Sequence, residues 1–217
     1  GLPDSVETCR ELLNRRPESN LIHKRILHIH ARAHRILSPL DAAAIDALLL
    51  AVMDTRYYKN LPGREGVRGI VNRAEAHRQL IAAEAALDKL ADRTVHLDIC
   101  DFLGNGERQM VVATPRIGFI LEYHRGGILR TMDSRDGLYN WLIAQREDGE
   151  PVGALQDHLV PADCHEYDAL MNWIDDHSAI MTQPYDYQIK RHHDRMQIVM
   201  NGDQSIVLEG RRHTLRM

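Results

Sequence analysis

Cysteine is scarce in this chain: three among 217 residues, at Cys9, Cys100 and Cys164. They are odd in number and far apart, so they form neither a disulfide framework nor a metal-ligand spacing. The reading is of reduced, buried thiols in a cytoplasmic protein. An excess of basic charge is also missing. The net charge of −4 gives no reason to expect nucleic acid or an anionic membrane surface as partner. No hydrophobic run is long enough to cross a bilayer, because the longest, Ala42 to Met53, is short and interrupted by Asp46. No signal peptide is visible. The chain starts at Gly1 in helix-like sequence without an initiator Met, which leads us to expect a segment of something longer.

With 44% hydrophobic and 27% charged residues, the composition is that of a globular protein able to bury a core. The period of the apolar residues changes near Arg93. Before it they recur at helical spacing; after it they follow the pattern of strands. The expected fold class is α+β, with an N-terminal helical bundle followed by an antiparallel β-sandwich, possible truncation at Met217 included.

In the helical half, Asp4 or Ser5 caps a first helix to about Arg16, with Glu7 placed as in a capping box. Pro17 ends it and can open the next, since a first helical residue needs no N–H. The second helix carries Ile22, Ile26, Ile29, Ala33 and Leu37 on one face. Beside them runs a stripe of His23, His30 and His34. A pair at i, i+4 such as His30 and His34 can chelate a metal, but the neighbours in sequence are the basic Lys24, Arg25, Arg32 and Arg35. The pattern supplies no third ligand, so no metal and no cofactor are expected. The third helix, Pro39 to about Tyr58, is apolar nearly all round and reads as the centre of the bundle. A loop with Gly63-x-x-Gly66-x-x-Gly69 follows; it lacks the preceding strand and the Gly-Lys-Ser/Thr of a phosphate loop. A last helix, from Val67 or Ile70 to Leu90, is expected to bury Ile70, Ala74, His77 and Ile81.

In the second half, strands are expected at Val95–Ile99, Met110–Val112, Ile117–Leu121, Ile128–Leu129, Tyr185–Ile189, Met196–Met200 and Ile206–Leu208. Asn201-Gly202-Asp203 is a hairpin signal. Asp98, Asp101 and Glu107 surround Gly104-Asn105-Gly106, but apolar Ile99 and Phe102-Leu103 stand where a calcium loop would be polar, which favours a plain strand-turn-strand.

Several stretches carry a resemblance. Residues 10–24 include Pro17-Glu18-Ser19-Asn20-Leu21-Ile22-His23-Lys24. Further on come Asp98-x-x-Asp101, Gly106-Glu107, Gly126-Gly127-Ile128-Leu129, Met132-Asp133, Asn140-x-Leu142, Arg146-Glu147, Leu155-Gln156-Asp157-His158-Leu159 and Pro184-Tyr185-Asp186-Tyr187. In this order they resemble the helical region and C-terminal sandwich of family 57 glycoside hydrolases of the α-amylase/4-α-glucanotransferase type. The resemblance implies that residues 1–92 correspond to the family's central helical region and 93–217 to its C-terminal, galactose-mutarotase-like sandwich. It also implies a catalytic barrel outside this chain, which would carry the nucleophile and the acid. A retaining glycosidase needs two carboxyl groups about 5–5.5 Å apart, and Glu84, Asp101 and Glu122 receive no such role. The chain alone is expected to be inactive, with no catalytic residue of its own.

The family contributes a sugar-contacting stretch between its central helix and a helix ending Leu-Ile-x-Ala-Glu. Here Leu80-Ile81-Ala82-Ala83-Glu84 places that stretch within Val52 to Gly69. The family's Cys-Asn, Trp-His and Phe-Gly-Gly elements are absent. Asp54, Tyr57, Tyr58 and Asn60 keep an aromatic and polar character and are the candidate substrate-binding residues. The implied partners are an α-glucan or oligosaccharide and the parent barrel, with a homo-oligomer left open. The alternative is a non-catalytic carbohydrate-binding or scaffolding protein descended from such an enzyme.

Overall fold

The computed structural model describes Leu13 and residues 17–53, 66–125, 128–141, 155–156, 186–191, 195–200, 204–209 and 213–216. The helices precede the strands, and the fold is α+β. Helix α1 spans Pro17–Ile36, α2 spans Pro39–Leu50 with a 3₁₀ turn at Ala51–Met53, and α3 spans Gly66–Leu90. The expected first helix, apart from Leu13, lies outside the described residues.

α1 starts at Pro17 as expected and stops where Pro39 forces Ser38 into an extended conformation (φ −64°, ψ 156°). Ser38 then caps α2, its hydroxyl oxygen accepting from the Asp41 amide at 3.2 Å. The apolar face of α1 packs Ile22, Ile26, Ile29 and Ala33 against Ala42, Ile45 and Leu49 of α2 and Ala76, Leu80, Ala83 and Leu87 of α3. This is the core that the 3.6-residue period predicts. Of the burial expected on α3, His77 and Ile81 are buried, while Ala74 is only half-buried.

α2 corrects one expectation. It is not enclosed on all sides: only Ala42, Ile45 and Leu49 of α2 are buried, while Leu40 is 82% and Leu50 67% exposed. Alanine and leucine are strong helix formers whether covered or not, so an all-apolar helix need not be a central one.

The change of period near Arg93 is a capped helix end. Asp92 takes a left-handed conformation (φ 49°), Asp92 N–H donates to Lys89 C=O, and Arg93 N–H donates to Asp88 C=O. That pair of bonds closes α3 and turns the chain into the first strand.

Strands β1 (His96–Cys100), β2 (Gln109–Ala113), β3 (Ile117–Glu122), β4 (Ile128–Ser134) and β5 (Tyr139–Asn140) form one sheet in that order, with β6 (Leu155–Gln156) also on β4. A second sheet orders β10 (His213–Arg216), β9 (Gln204–Glu209), β8 (Arg195–Met200) and β7 (Tyr187–Arg191). All pairings are antiparallel. Met200 of β8 pairs with Gln204 of β9; the expected Asn201-Gly202-Asp203 turn lies outside the described residues.

Alternation along β2 and β3 decides the layering. Met110, Val112, Phe119 and Leu121 join Tyr123 and Ile198 between the two sheets. Their neighbours Val111 and Ile120 point the other way, joining Phe102 and, at its edge, Leu21 of α1. The first sheet is thus covered on both faces, by the second sheet and by the helices. Every residue of β2 is buried for that reason, and the strand reads as a continuous run rather than an alternating one.

Candidate functional site

The substrate-binding candidates Asp54, Tyr57, Tyr58 and Asn60 lie outside the described residues. The charged groups that the fold gathers lie instead between the helices and the first sheet. Arg25, on the sheet-facing side of α1, is 2% exposed. Its Nε and Nη2 donate to Glu84 of α3 at 2.9 and 2.7 Å, and Nη2 also donates to Asp133 of β4 at 2.5 Å. Asn140 of β5 donates to the same Asp133 at 2.8 Å, and His77 Nδ1 stands 3.4 Å from Arg25 Nη1. About two turns further along α1 and one turn further along α3 the motif repeats. Arg32 of α1 and Arg135 after β4 both donate to Asp88 of α3, and Arg135 donates further to Thr114 C=O at 2.8 Å.

Burial opposes the charge on Arg25, and Asp133 and Glu84 outweigh it. Burial also opposes the Glu84 charge, but Arg25 prevails and holds its carboxyl down to about 2. Asp133 goes the other way: burial raises it, with the nearby Glu84 adding to the rise, and Arg25 offsets only part. His77 is kept neutral, lowered to about 3 by burial and then by Arg25. Two carboxylates therefore share one guanidinium in a water-poor layer. The arrangement ties α1, α3, β4 and β5 together.

The other carboxylates considered in the sequence are also engaged. Glu122 is buried and accepts both arms of Arg130. Asp101 accepts the backbone N–H groups of Asn105 and Gly106 at 2.9 and 3.0 Å. It closes the Gly104–Gly106 turn on itself, and Gly104 and Gly106 supply the positive φ (68° and 85°) that the turn needs. Asp98 points elsewhere, toward Arg35 at 3.3 Å. Cys100 is a poor nucleophile, because burial and then Asp98 push its thiol up to about 11.

Beside the network, a cavity with room for about one water molecule is lined by Arg25, His28, Arg32, Glu84, His96 and Asp133 among others. The Nε2 atoms of His28 and His96 find no hydrogen-bond partner among the described residues. His96 is lowered to about 3 by burial, then by Arg32 and His28.

On the outer surface, His30 Nδ1 and His34 Nε2 lie 2.7 and 2.8 Å from the two carboxylate oxygens of Asp46. The sequence had shown the histidine pair but no acid near it, since Asp46 belongs to the next helix. Arg25 and Arg32 stand on the flank of the stripe of Ile22, Ile26, Ile29 and Ala33, where a solvent-facing arginine would also stand, so their burial left no signal in the sequence.

The described residues thus define an α+β protein in which helices, joined by buried ion pairs, cover one face of a two-sheet sandwich. No family model matches the chain, and no curated protein matches it. Among solved structures, the chain is similar to the 4-alpha-glucanotransferase from Thermococcus litoralis, with a TM-score of 0.54 and 14% identity over 91% of this chain. It spans 32% of the length of that protein. At this identity the likeness is one of fold.

Proposed function

We propose that this chain is an accessory part of a carbohydrate-active enzyme of the family 57 type, acting on α-1,4-glucans. Residues 1–92 are its helical region and 93–217 its sandwich, and a catalytic barrel in the parent chain carries the reacting carboxylates. The single observation supporting this most is the fold likeness to a glucanotransferase, which extends over 91% of the chain and so includes helices and sheets together. The ordered sequence motifs point the same way. Three residues of those motifs, Glu84, Asp133 and Asn140, meet around Arg25. A joint that holds helices to sandwich suits a scaffold on which a separate catalytic unit rests. In this reading Asp54, Tyr57, Tyr58 and Asn60 lend the scaffold a sugar contact, and the protein is cytoplasmic. No helix among the described residues is long and apolar enough to cross a membrane.

The second reading, a carbohydrate-binding or scaffolding protein without catalysis, is favoured by the engagement of Glu84, Asp101 and Glu122 in internal contacts. Maltooligosaccharide titration followed by NMR tests the part the two readings share. Shifts are expected for the unmodified chain and should vanish in Y57A/Y58A, while no maltooligosaccharide hydrolysis should be detected. Absence of shifts in the unmodified chain would remove the sugar contact. Turnover by this chain alone would overturn the accessory role.

A further inference from the structure

We propose that His30, His34 and Asp46 form a surface binding site for a divalent transition cation, with Zn²⁺ as its probe. The two imidazoles are one turn apart on α1, with ring centroids 4.4 Å from each other. The carboxylate arrives from α2, and one ligand atom from each of the three residues lies within 4.8 Å of the others.

The placement follows from the packing. Ile29 and Ala33 on α1 meet Ala42, Ile45 and Leu49 on α2 in the apolar core. His30, His34 and Asp46 each follow one of these buried residues in sequence, so they line the rim of the same helix–helix contact. A site on two packed helices is more rigid than one on loops. Around a metal with bonds of about 2.0–2.1 Å, tetrahedral ligand atoms stand ~3.3 Å apart. The observed 2.7 and 2.8 Å imidazole–carboxylate separations need to open by about half an ångström for a metal to enter. Rotation of exposed side chains supplies that: His30 is 51%, His34 47% and Asp46 34% exposed.

The donor set also selects the cation. Two imidazoles and one carboxylate suit zinc, copper, nickel or ferrous iron rather than calcium or magnesium. With three protein ligands at the surface, further coordination positions face solvent, as in open rather than closed sites.

A second group of the same donor types, His28, His96 and Asp98, is a poorer host. Arg35 already occupies Asp98, and Arg32 adds positive charge beside His96. A dication there would face two guanidinium groups.

The test is Zn²⁺ titration of the full chain by calorimetry, together with NMR of the histidine side chains. One Zn²⁺ is expected to bind and to shift the ring signals of His30 and His34. H30A, H34A and D46N should each weaken binding at least about tenfold, with unchanged circular dichroism because all three residues are at the surface. H23A, seven residues before His30 on the same helix, should bind as the unmodified chain does. The proposal is overturned if the unmodified chain binds Zn²⁺ no better than H30A/H34A. It is equally overturned if D46N binds as tightly as the unmodified chain, or if the shifted rings are those of other histidines.

Discussion

Replacing Arg25 with methionine probes the joint between helices and sandwich most directly. Methionine approximates the arginine stem, so packing along α1 changes little, while the guanidinium that serves Glu84 and Asp133 is lost. Asp133 is 2% exposed and cannot turn to water; Glu84, at 14%, can do so only in part. Removing one partner from a buried ion pair costs about 3–5 kcal/mol, because the remaining charge is stranded. Domains are stable by about 5–15 kcal/mol, so R25M should forfeit roughly a fifth or more of the total. With a urea dependence of about 2–3 kcal/mol per molar, a 4 kcal/mol loss moves the unfolding midpoint down by roughly 1.3–2 M. Neutralising the stranded acids should reverse most of this. R25M/E84Q/D133N is therefore expected to be more stable than R25M, although it contains two further changes. Urea titration at pH 7 by circular dichroism decides the matter. A loss below about 1 kcal/mol for R25M, or a triple variant no more stable than R25M, would refute the account of stranded buried charge.

The pH dependence has a defined sign. His77 and His96 are held to about 3 in the folded chain against an ordinary value of 6.5. Between those values the unfolded state binds more protons, so stability falls as pH falls below 6.5, by at most about 1.4 kcal/mol per pH unit for each histidine. Glu84, held to about 2 against an ordinary 4.5, adds its own loss only as pH falls through the range below 4.5. Urea unfolding between pH 6.5 and 5 should therefore show a shallower slope in H77Q than in the unmodified chain; equal slopes would count against a neutral buried His77. Ile198, fully buried between the two sheets, should cost about 2–5 kcal/mol on truncation to alanine, read as a lower urea midpoint. A change under 1 kcal/mol would mean that the sheets do not depend on that contact.

Much of the architecture was legible in short windows of sequence. The Ile22–Ile26–Ile29–Ala33 stripe marks α1 and its inner face, Pro17 and Pro39 mark helix starts, and the alternation after Thr94 marks the strands. Each of these rests on steric preference or side-chain period, which a few neighbouring residues express by themselves. The outward face of α2 was misread because Ala and Leu serve helix formation and burial equally, and composition cannot tell the two apart.

What depended on the tertiary structure is the meeting of charges from distant segments. Arg25 finds Glu84 59 residues away and Asp133 108 residues away. Asp46 reaches His30 and His34 only because α1 and α2 pack through Ile29, Ala33 and Ile45. No local pattern encodes these encounters. A side chain's partner is set by which faces the apolar core brings together, and that is a property of the whole chain. The sequence by itself determined the elements and the place where helices give way to strands; the packing decided which polar groups became a buried joint and which became a surface cluster.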